Sequence, residues 1–486
     1  MVRRRPRQRA DDTVEIDGVT VQVSHHTLTV PERRADPTSR TIIVPIRRLA
    51  ATGTAVEPPV YHLAGGPGMS NLAFRPPLRL LERHDVVLVG YRGVDGAVVL
   101  DAPEVDRAIR GVGGDLFSER SRNRFADAVA AAAARLQQTG IDLDGYTIPE
   151  VMQDIEDARR QFDDPSICLL SESYGTRVAQ HYAEHHPDRV TRSVMIGVNP
   201  PGHFSWDVET IDEQLDLLGS LYAASVDEQA GEGCVDLVET VRRVSADMPR
   251  RWMMLPINPG KVRAAAFAML FNRRTGALAL DAYLAAGRGD HSGLAVLSLV
   301  YDLVFPKLAV WGDFFSKGFS ADVGSAAGET DWRSPGGVMG SPISELIWPA
   351  AERWPTRPIG DDYRAPRPTQ IETLLVGGNI DFSTPPVHAT RELLPVLERG
   401  HQLVLTDLGH TTDFWYRQPE AAARLVTDFF ADGSVGYDLF AHEPLTFDPG
   451  FFSLPRVAKL GSAIAVALSA IAVVNAVNLF RLVRNR

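Results

Sequence analysis

The chain has 486 residues, 44% hydrophobic and 23% charged, which excludes a disordered protein and a small stapled scaffold. With 50 Lys and Arg against 61 Asp and Glu, the net charge of −11 argues against nucleic acid as the main partner. Cys168 and Cys234 are too few for a disulfide framework and fit a reducing compartment.

Arg3, Arg4, Arg5, Arg7 and Arg9 open the chain with no apolar run behind them, so residues 1–12 read as a disordered basic tail rather than a secretory signal. Residues 14–16, 19–23 and 41–44 alternate as half-buried strands do and predict an antiparallel start to a sheet. From residue 60 the pattern changes to short continuous apolar runs, at 60–64, 86–89, 167–170, 194–198, 373–376 and 403–405. Runs of this kind read as strands of a parallel sheet buried on both faces, and helices are predicted between them at 125–138 and 149–162. Residues 201–367 carry little strand pattern. They hold helical stretches at 209–223, 235–244 and 262–271 and predict a mostly helical cap, inserted between core segments 13–200 and 368–445. There is no repeat at solenoid or propeller periods.

After a linker at 446–459, residues 460–480 run without a charge. As a helix this stretch covers about 30 Å, the thickness of a bilayer core, and its apolar residues surround the axis rather than forming one stripe. Arg456 and Lys459 precede it, and Arg481, Arg484 and Arg486 follow it. The prediction is a C-terminal transmembrane anchor with a cytoplasmic catalytic domain. Gly461, Ala465 and Ser469 recur every four positions, a spacing that would let two such helices approach and form a homo-oligomer.

The strongest chemical signal is the apolar run 167–170 leading through Ser171 and Glu172 into Ser173, Tyr174 and Gly175. A serine on a strand-to-helix turn has its hydroxyl lifted from the sheet, with the next backbone N–H groups aimed at any oxyanion beside it. Ser173 is therefore the candidate nucleophile, although Ser171 stands where G-x-S-x-G has its first glycine. A serine hydroxyl needs a base, and the base needs a carboxylate to orient it. Asp381 follows the run 373–376, and His410 follows the run 403–405. The chain order Ser, Asp, His is that of α/β-hydrolases. A fourth element, Gly65, Gly66, Pro67 and Gly68, directly follows the run 60–64, where the N–H of Gly66 and that of Tyr174 can form a two-donor oxyanion hole.

These residues, with Gly90 to Gly93, Pro187, Arg189, Thr384 and Pro385, resemble the α/β-hydrolases of the prolyl aminopeptidase and tripeptidyl aminopeptidase group over about residues 40–200 and 368–430. The resemblance implies an α/β-hydrolase fold and a serine peptidase that releases residues from a free peptide amino terminus, without metal or organic cofactor. It implies acylation of Ser173, orientation of His410 by Asp381, and an oxyanion held by Gly66 and Tyr174. Glu172 resembles the glutamate of the tripeptidyl group's elbow and is a candidate substrate-binding residue. In prolyl aminopeptidases, acidic cap residues bind the substrate's amino group. This cap offers Glu209, Asp212, Glu213, Asp216, Asp227 and Glu228, and no motif selects among them. Gly90 and Tyr91 stand where members often have Asp and Gln.

Other residues read as structural. Cys168 belongs to a strand core. His181, His185 and His186 read as solvated helix positions rather than metal ligands. Asp407 and Asp413 flank His410 but lack the loop after a strand that Asp381 has. Two alternatives stay open: an esterase or other carbonyl hydrolase on the same triad, and a membrane-tethered binding protein without turnover.

Overall fold

The computed structural model describes residues 9–54, 57–110, 114–227, 235–324 and 337–462. The predicted alternation forms an antiparallel meander of β1 (Arg9–Ile16), β2 (Val19–Pro31) and β3 (Thr41–Leu49). Asp17 and Gly18 both take positive φ, 49° and 80°, which is the left-handed pair that a tight two-residue hairpin needs between β1 and β2. The continuous apolar runs become β4 (Val60–Leu63), β5 (Val86–Val89), β6 (Ile167–Glu172) and β7 (Val190–Ile196). Every residue of β4 and β5 is buried, as expected of strands covered on both faces.

A two-strand hairpin of β8 (Arg251–Trp252) and β9 (Leu255–Pro256) lies in the cap, and β10 (Glu372–Gly378) and β11 (Gly400–Leu405) complete the main sheet. Its order is β1-β2-β3-β5-β4-β6-β7-β10-β11, antiparallel as far as the β3–β5 pair and parallel from there on. Apolar residues pack on both faces. One cluster, with Val60, Leu88, Cys168 and Leu374, meets the helix Pro419–Asp432 through Leu425 and Phe429. The other joins Tyr61, Val87 and Leu169 to the helices Glu119–Gln138, Ile148–Gln161 and Tyr174–His185 and continues into the cap.

Between β7 and β10 the chain runs through the helices Val208–Asp227, Leu237–Ala246, Pro259–Met269, Arg273–Gly287, Ser292–Val304, Trp311–Asp322 and Pro342–Ile347. The four from Arg273 onward, apart from the predicted stretches, escape the sequence reading because burial on most sides leaves no single apolar stripe. Residues 446–459, read as a linker, are docked. Leu454 and Ala458 are buried, the Ser453 hydroxyl donates to Asp281 at 2.7 Å, and Lys459 meets Asp290 at 2.5 Å. Only residues 460–462 of the proposed anchor, and only 9–12 of the proposed tail, lie within the described residues. Among the described residues no single helix is long and apolar enough to cross a membrane.

One ionic network fastens the antiparallel edge to the parallel core. Arg92 is completely buried, and its guanidinium makes two 2.6 Å bonds to Asp154 and further bonds, each 2.7 Å, to the carbonyls of Glu32 and Gly145. Arg34, from the β2–β3 loop, reaches the same Asp154 at 2.7 Å and Glu150 at 2.6 Å.

Candidate active site

β6 ends at Glu172, and the helix Tyr174–His185 begins one residue after Ser173, so Ser173 must turn the chain sharply. It does so at φ 50° and ψ −123°, a conformation that costs a non-glycine residue about 1–3 kcal/mol and that the surrounding structure must enforce. Enforcement comes from the Ser173 N–H, which donates to Ile196 at the end of β7 at 2.9 Å. It also comes from Gly175, where a Cβ would stand 2.1 Å from the Leu63 carbonyl oxygen. Small residues at the elbow thus let the helix start lie directly on the end of β4.

The structure brings Asp381 and His410 together. Asp381, on the loop after β10, is completely buried, and its Oδ2 lies 2.8 Å from Nδ1 of His410, on the loop after β11. The other carboxylate oxygen accepts the N–H groups of Ser383 and Thr384 at 2.8 and 3.0 Å, and the Thr384 hydroxyl donates to Oδ2 at 2.8 Å. Burial opposes the Asp381 charge, but His410 and these donors outweigh it and hold the carboxyl below its ordinary value. Burial likewise opposes a charged His410, and the Asp381 carboxylate outweighs it, so the imidazole is raised above 6.5.

Gly197 joins this pair to the elbow. It follows the Ile196 that accepts from Ser173, and a Cβ on it would lie 2.7 Å from Cε1 of His410, so only glycine admits the ring here. On the other side of the elbow, a Cβ on Gly65 would stand 3.0 Å from the Ser173 Cβ, which puts the Gly65–Gly68 loop against the nucleophile. Among the described residues the N–H groups of Gly66 and Tyr174 donate to no other protein group and stay available to a ligand. Asn71 and Asp95 shape this loop. The Asn71 side chain accepts from the Ala64 N–H at 2.8 Å and donates to the Val89 carbonyl at 2.8 Å, while Asp95 accepts from the Asn71 and Tyr91 N–H groups at 2.9 Å each.

Glu172 is engaged elsewhere than in an open subsite. Its Oε1 lies 3.0 Å from Nε2 of His62, whose ring stacks on Phe74 at 3.6 Å. Of the acidic cap candidates, Glu209, Glu213 and Asp216 are exposed, whereas Asp212 accepts from the Val338 N–H at 2.9 Å as a brace within the cap. The Asp227 side chain and Glu228 lie outside the described residues, as does Cys234. Cys168 is buried in β6, and burial pushes its thiol up to about 12. Asp413 accepts the Gly409 and Arg273 N–H groups at 2.9 Å each, and Asp407 lies 3.0 Å from Nε2 of His442, so both carboxylates are occupied away from the His410 ring.

The histidines of the elbow helix require a correction. His181 is completely buried, with Nδ1 3.1 Å from Glu184, and His185 stacks on Tyr363 at 4.6 Å. The chain returning from the cap covers this face of the helix, which local periodicity does not reveal.

Sequence reasoning also missed how the cap contacts each loop of the site. Asp313 accepts the Gly68 N–H at 3.0 Å, and the Val310 N–H donates to the Gly68 carbonyl at 2.9 Å. The Phe271 carbonyl accepts the His410 N–H at 2.6 Å, and the Trp206 indole donates to the Ser383 carbonyl at 2.7 Å. Asp313 is itself paired with Lys317, and both are fully buried beneath Tyr91 and Tyr174. Separations of more than 100 residues hide the contacts between cap and loops from any local motif.

The sheet order, the elbow and the carboxylate–imidazole pair together define an α/β-hydrolase, and residues 58–230 match the family model of the alpha/beta hydrolase fold. Residues 346–438 match the model of the TAP-like proteins, so the α/β-hydrolase carries a TAP-like segment that includes Asp381 and His410. No curated protein matches the chain. Similar solved structures include an alpha/beta hydrolase enzyme from a Medee basin deep-sea metagenome library, at 12% identity and TM-score 0.39, covering 82% of this chain and 97% of that one. Another is a meta-cleavage product hydrolase from Pseudomonas fluorescens, at 14% identity and TM-score 0.38, with 81% and 96% covered. A third is an esterase from Exiguobacterium antarcticum, at 13% identity and TM-score 0.39, with 81% and 97% covered.

Proposed function

We propose that the protein is a serine hydrolase, and specifically an aminopeptidase that releases residues from a free peptide amino terminus through an acyl-enzyme. The observation that carries this reading is the buried Asp381–His410 pair held at 2.8 Å and joined through Gly197 to the strained Ser173 elbow. The Nε2 of His410 takes the Ser173 hydroxyl proton as Oγ attacks the scissile carbonyl, and the N–H groups of Gly66 and Tyr174 receive the developing oxyanion. Collapse breaks the C–N bond as His410 returns that proton to the leaving amine. Water then attacks the ester with His410 again as base, releasing the acid and restoring Ser173. The peptidase half of the reading is supported by the motif resemblance and by the TAP-like match over residues 346–438.

Aminoacyl and tripeptidyl arylamides with free and blocked amino termini, tested beside simple aryl esters, decide the matter. The expected result is cleavage of free-terminus amides, abolished in Ser173→Ala. Turnover of esters alone would remove the peptidase assignment and leave the hydrolase, and turnover that survives in Ser173→Ala would overturn the nucleophile.

We further infer from sequence that residues 460–480 tether the protein to a membrane, with the catalytic domain on the cytoplasmic side.

A further inference from the structure

Behind the Asp381 loop lies a small cleft, roofed by the start of the cap and lined by His203, Trp206, Asp207 and His388. The reaction outlined above uses none of its ionisable groups. His388 and Glu392 lie four residues apart on the helical turns that follow the Asp381 loop, a spacing that puts both on one face. His203 arrives from the chain between β7 and the first cap helix. Its Nε2 is 2.7 Å from Glu392 Oε1, and its ring stacks on His388 at 3.9 Å. Nδ1 of His388 lies 4.0 Å from the same Glu392 oxygen, and one ligand atom from each of the three residues falls within 4.8 Å of the other two.

We propose that His203 Nε2, His388 Nδ1 and Glu392 Oε1 form a binding site for a divalent transition-metal ion of the zinc type, built across the junction of the cap and the Asp381 loop. Two imidazoles and one carboxylate make a borderline donor set that suits Zn²⁺, Co²⁺ or Ni²⁺ rather than the oxygen-seeking Mg²⁺ or Ca²⁺. Bonds of about 2 Å in a tetrahedral shell require donors roughly 3.3 Å apart, so on binding the 2.7 Å pair must open and the 4.0 Å pair must close by several tenths of an ångström each, and the two imidazole nitrogens, within 4.8 Å, must close by up to about 1.5 Å. A carboxylate stands behind the ligand: Nε2 of His388 lies 3.6 Å from Asp207 Oδ2, and a small approach would make the carboxylate–histidine bond that fixes the tautomer of a metal-bound imidazole.

Two further observations mark the cleft as a place for a ligand. Asn199 Oδ1 and Ser205 Oγ belong to side chains that are 7% and 3% exposed, both line the cleft, and neither has a hydrogen-bond partner. Buried polar atoms are rarely left so, and here they can accept from the one water molecule that would complete a four-coordinate ion. Glu392, whose side chain is 36% exposed, leaves a path for the ion to enter. A bound ion would tie the start of the cap to the turns after Asp381, next to the bond from the Trp206 indole to Ser383.

The test uses the full-length protein, stripped with chelator and titrated with Co²⁺ as a coloured probe. Saturation at one equivalent with the visible absorption of four-coordinate cobalt, bleached by Zn²⁺ but not by Mg²⁺, is the expected result, together with a rise in Tm of about 3 °C. His203→Ala and Glu392→Gln should each weaken Co²⁺ binding at least ten-fold, and Asp207→Asn by about ten-fold. Glu392 is partly exposed, so Glu392→Gln keeps its metal-free Tm and gives a readout independent of folding. Ser173→Ala should bind Co²⁺ as the parent does, which separates this site from the hydrolase reading. No saturable uptake, or uptake unchanged in Glu392→Gln, or a cobalt signal that disappears only with His410→Ala, would overturn the proposal.

Discussion

At His410 two effects of opposite sign meet, and their balance is measurable. Burial disfavours the imidazolium and Asp381 favours it, with a net rise above 6.5. Because the base must be neutral to accept the Ser173 proton, kcat/KM should climb with pH through a midpoint above 6.5, and activity should be lost on acidification. Replacing Asp381 removes the attraction that wins. In Asp381→Asn, kcat should fall by about four orders of magnitude, and the midpoint of the residual rate should move down, since burial is then opposed only by the weaker pull of Glu172 and Asp413. A pH–rate profile of both proteins checks this, and a midpoint that does not move would separate Asp381 from His410.

The juxtaposition of these two residues was legible because each follows an apolar strand of one parallel sheet, whose strand ends must converge on one edge. The partners of Glu172 and His181 were not legible. His62 and Tyr363 reach them from 110 and 182 residues away, and nothing in the local pattern encodes those approaches.

At the scale of elements, the strands of the main sheet were readable from alternation and from continuous apolar runs, with bounds displaced by a few residues. β7, for example, spans Val190–Ile196 rather than 194–198. The elbow depends on a helix start lying on the end of β4, and Gly175 permits it. Gly175→Ala should cost about 3 kcal/mol, seen as a lowered midpoint in denaturant, because the added methyl meets rigid backbone rather than a side chain that can move. The antiparallel edge depends on Arg92 in the same way. Arg92→Met leaves Asp154 and Glu150 short of a buried partner and should lose about 3 kcal/mol of stability, with Arg34 still holding part of the charge. A loss in Arg92→Met no larger than that of an exposed substitution would show the network to be unimportant. Arg92 stood out in the sequence only as part of a family motif. Its structural task becomes visible when the carbonyls of Glu32 and Gly145 are seen to point at it.

At the scale of the whole molecule, the segment 460–480 sets a prediction of its own. Full-length protein should sediment with membranes and require detergent for release, while a chain ending at Lys459 should remain in the supernatant with its arylamide or ester turnover intact. Retention of the shorter chain on membranes would move the anchoring elsewhere. The helical stretch between β7 and β10 shows in the sequence as a gap in the strand pattern, but its intimacy with the core does not, because the decisive bonds are between distant backbone and side-chain atoms.

Those bonds bear on engineering. Asp313 supports the loop of Gly68, the Phe271 carbonyl supports the backbone of His410, and Trp206 supports Ser383. A cap of this kind is not an exchangeable specificity module. Transplanting one from another hydrolase would withdraw three struts from the reacting loops at once, so a chimera that recognises a new substrate would also lose the chemistry, unless the graft boundaries carry these contacts with them.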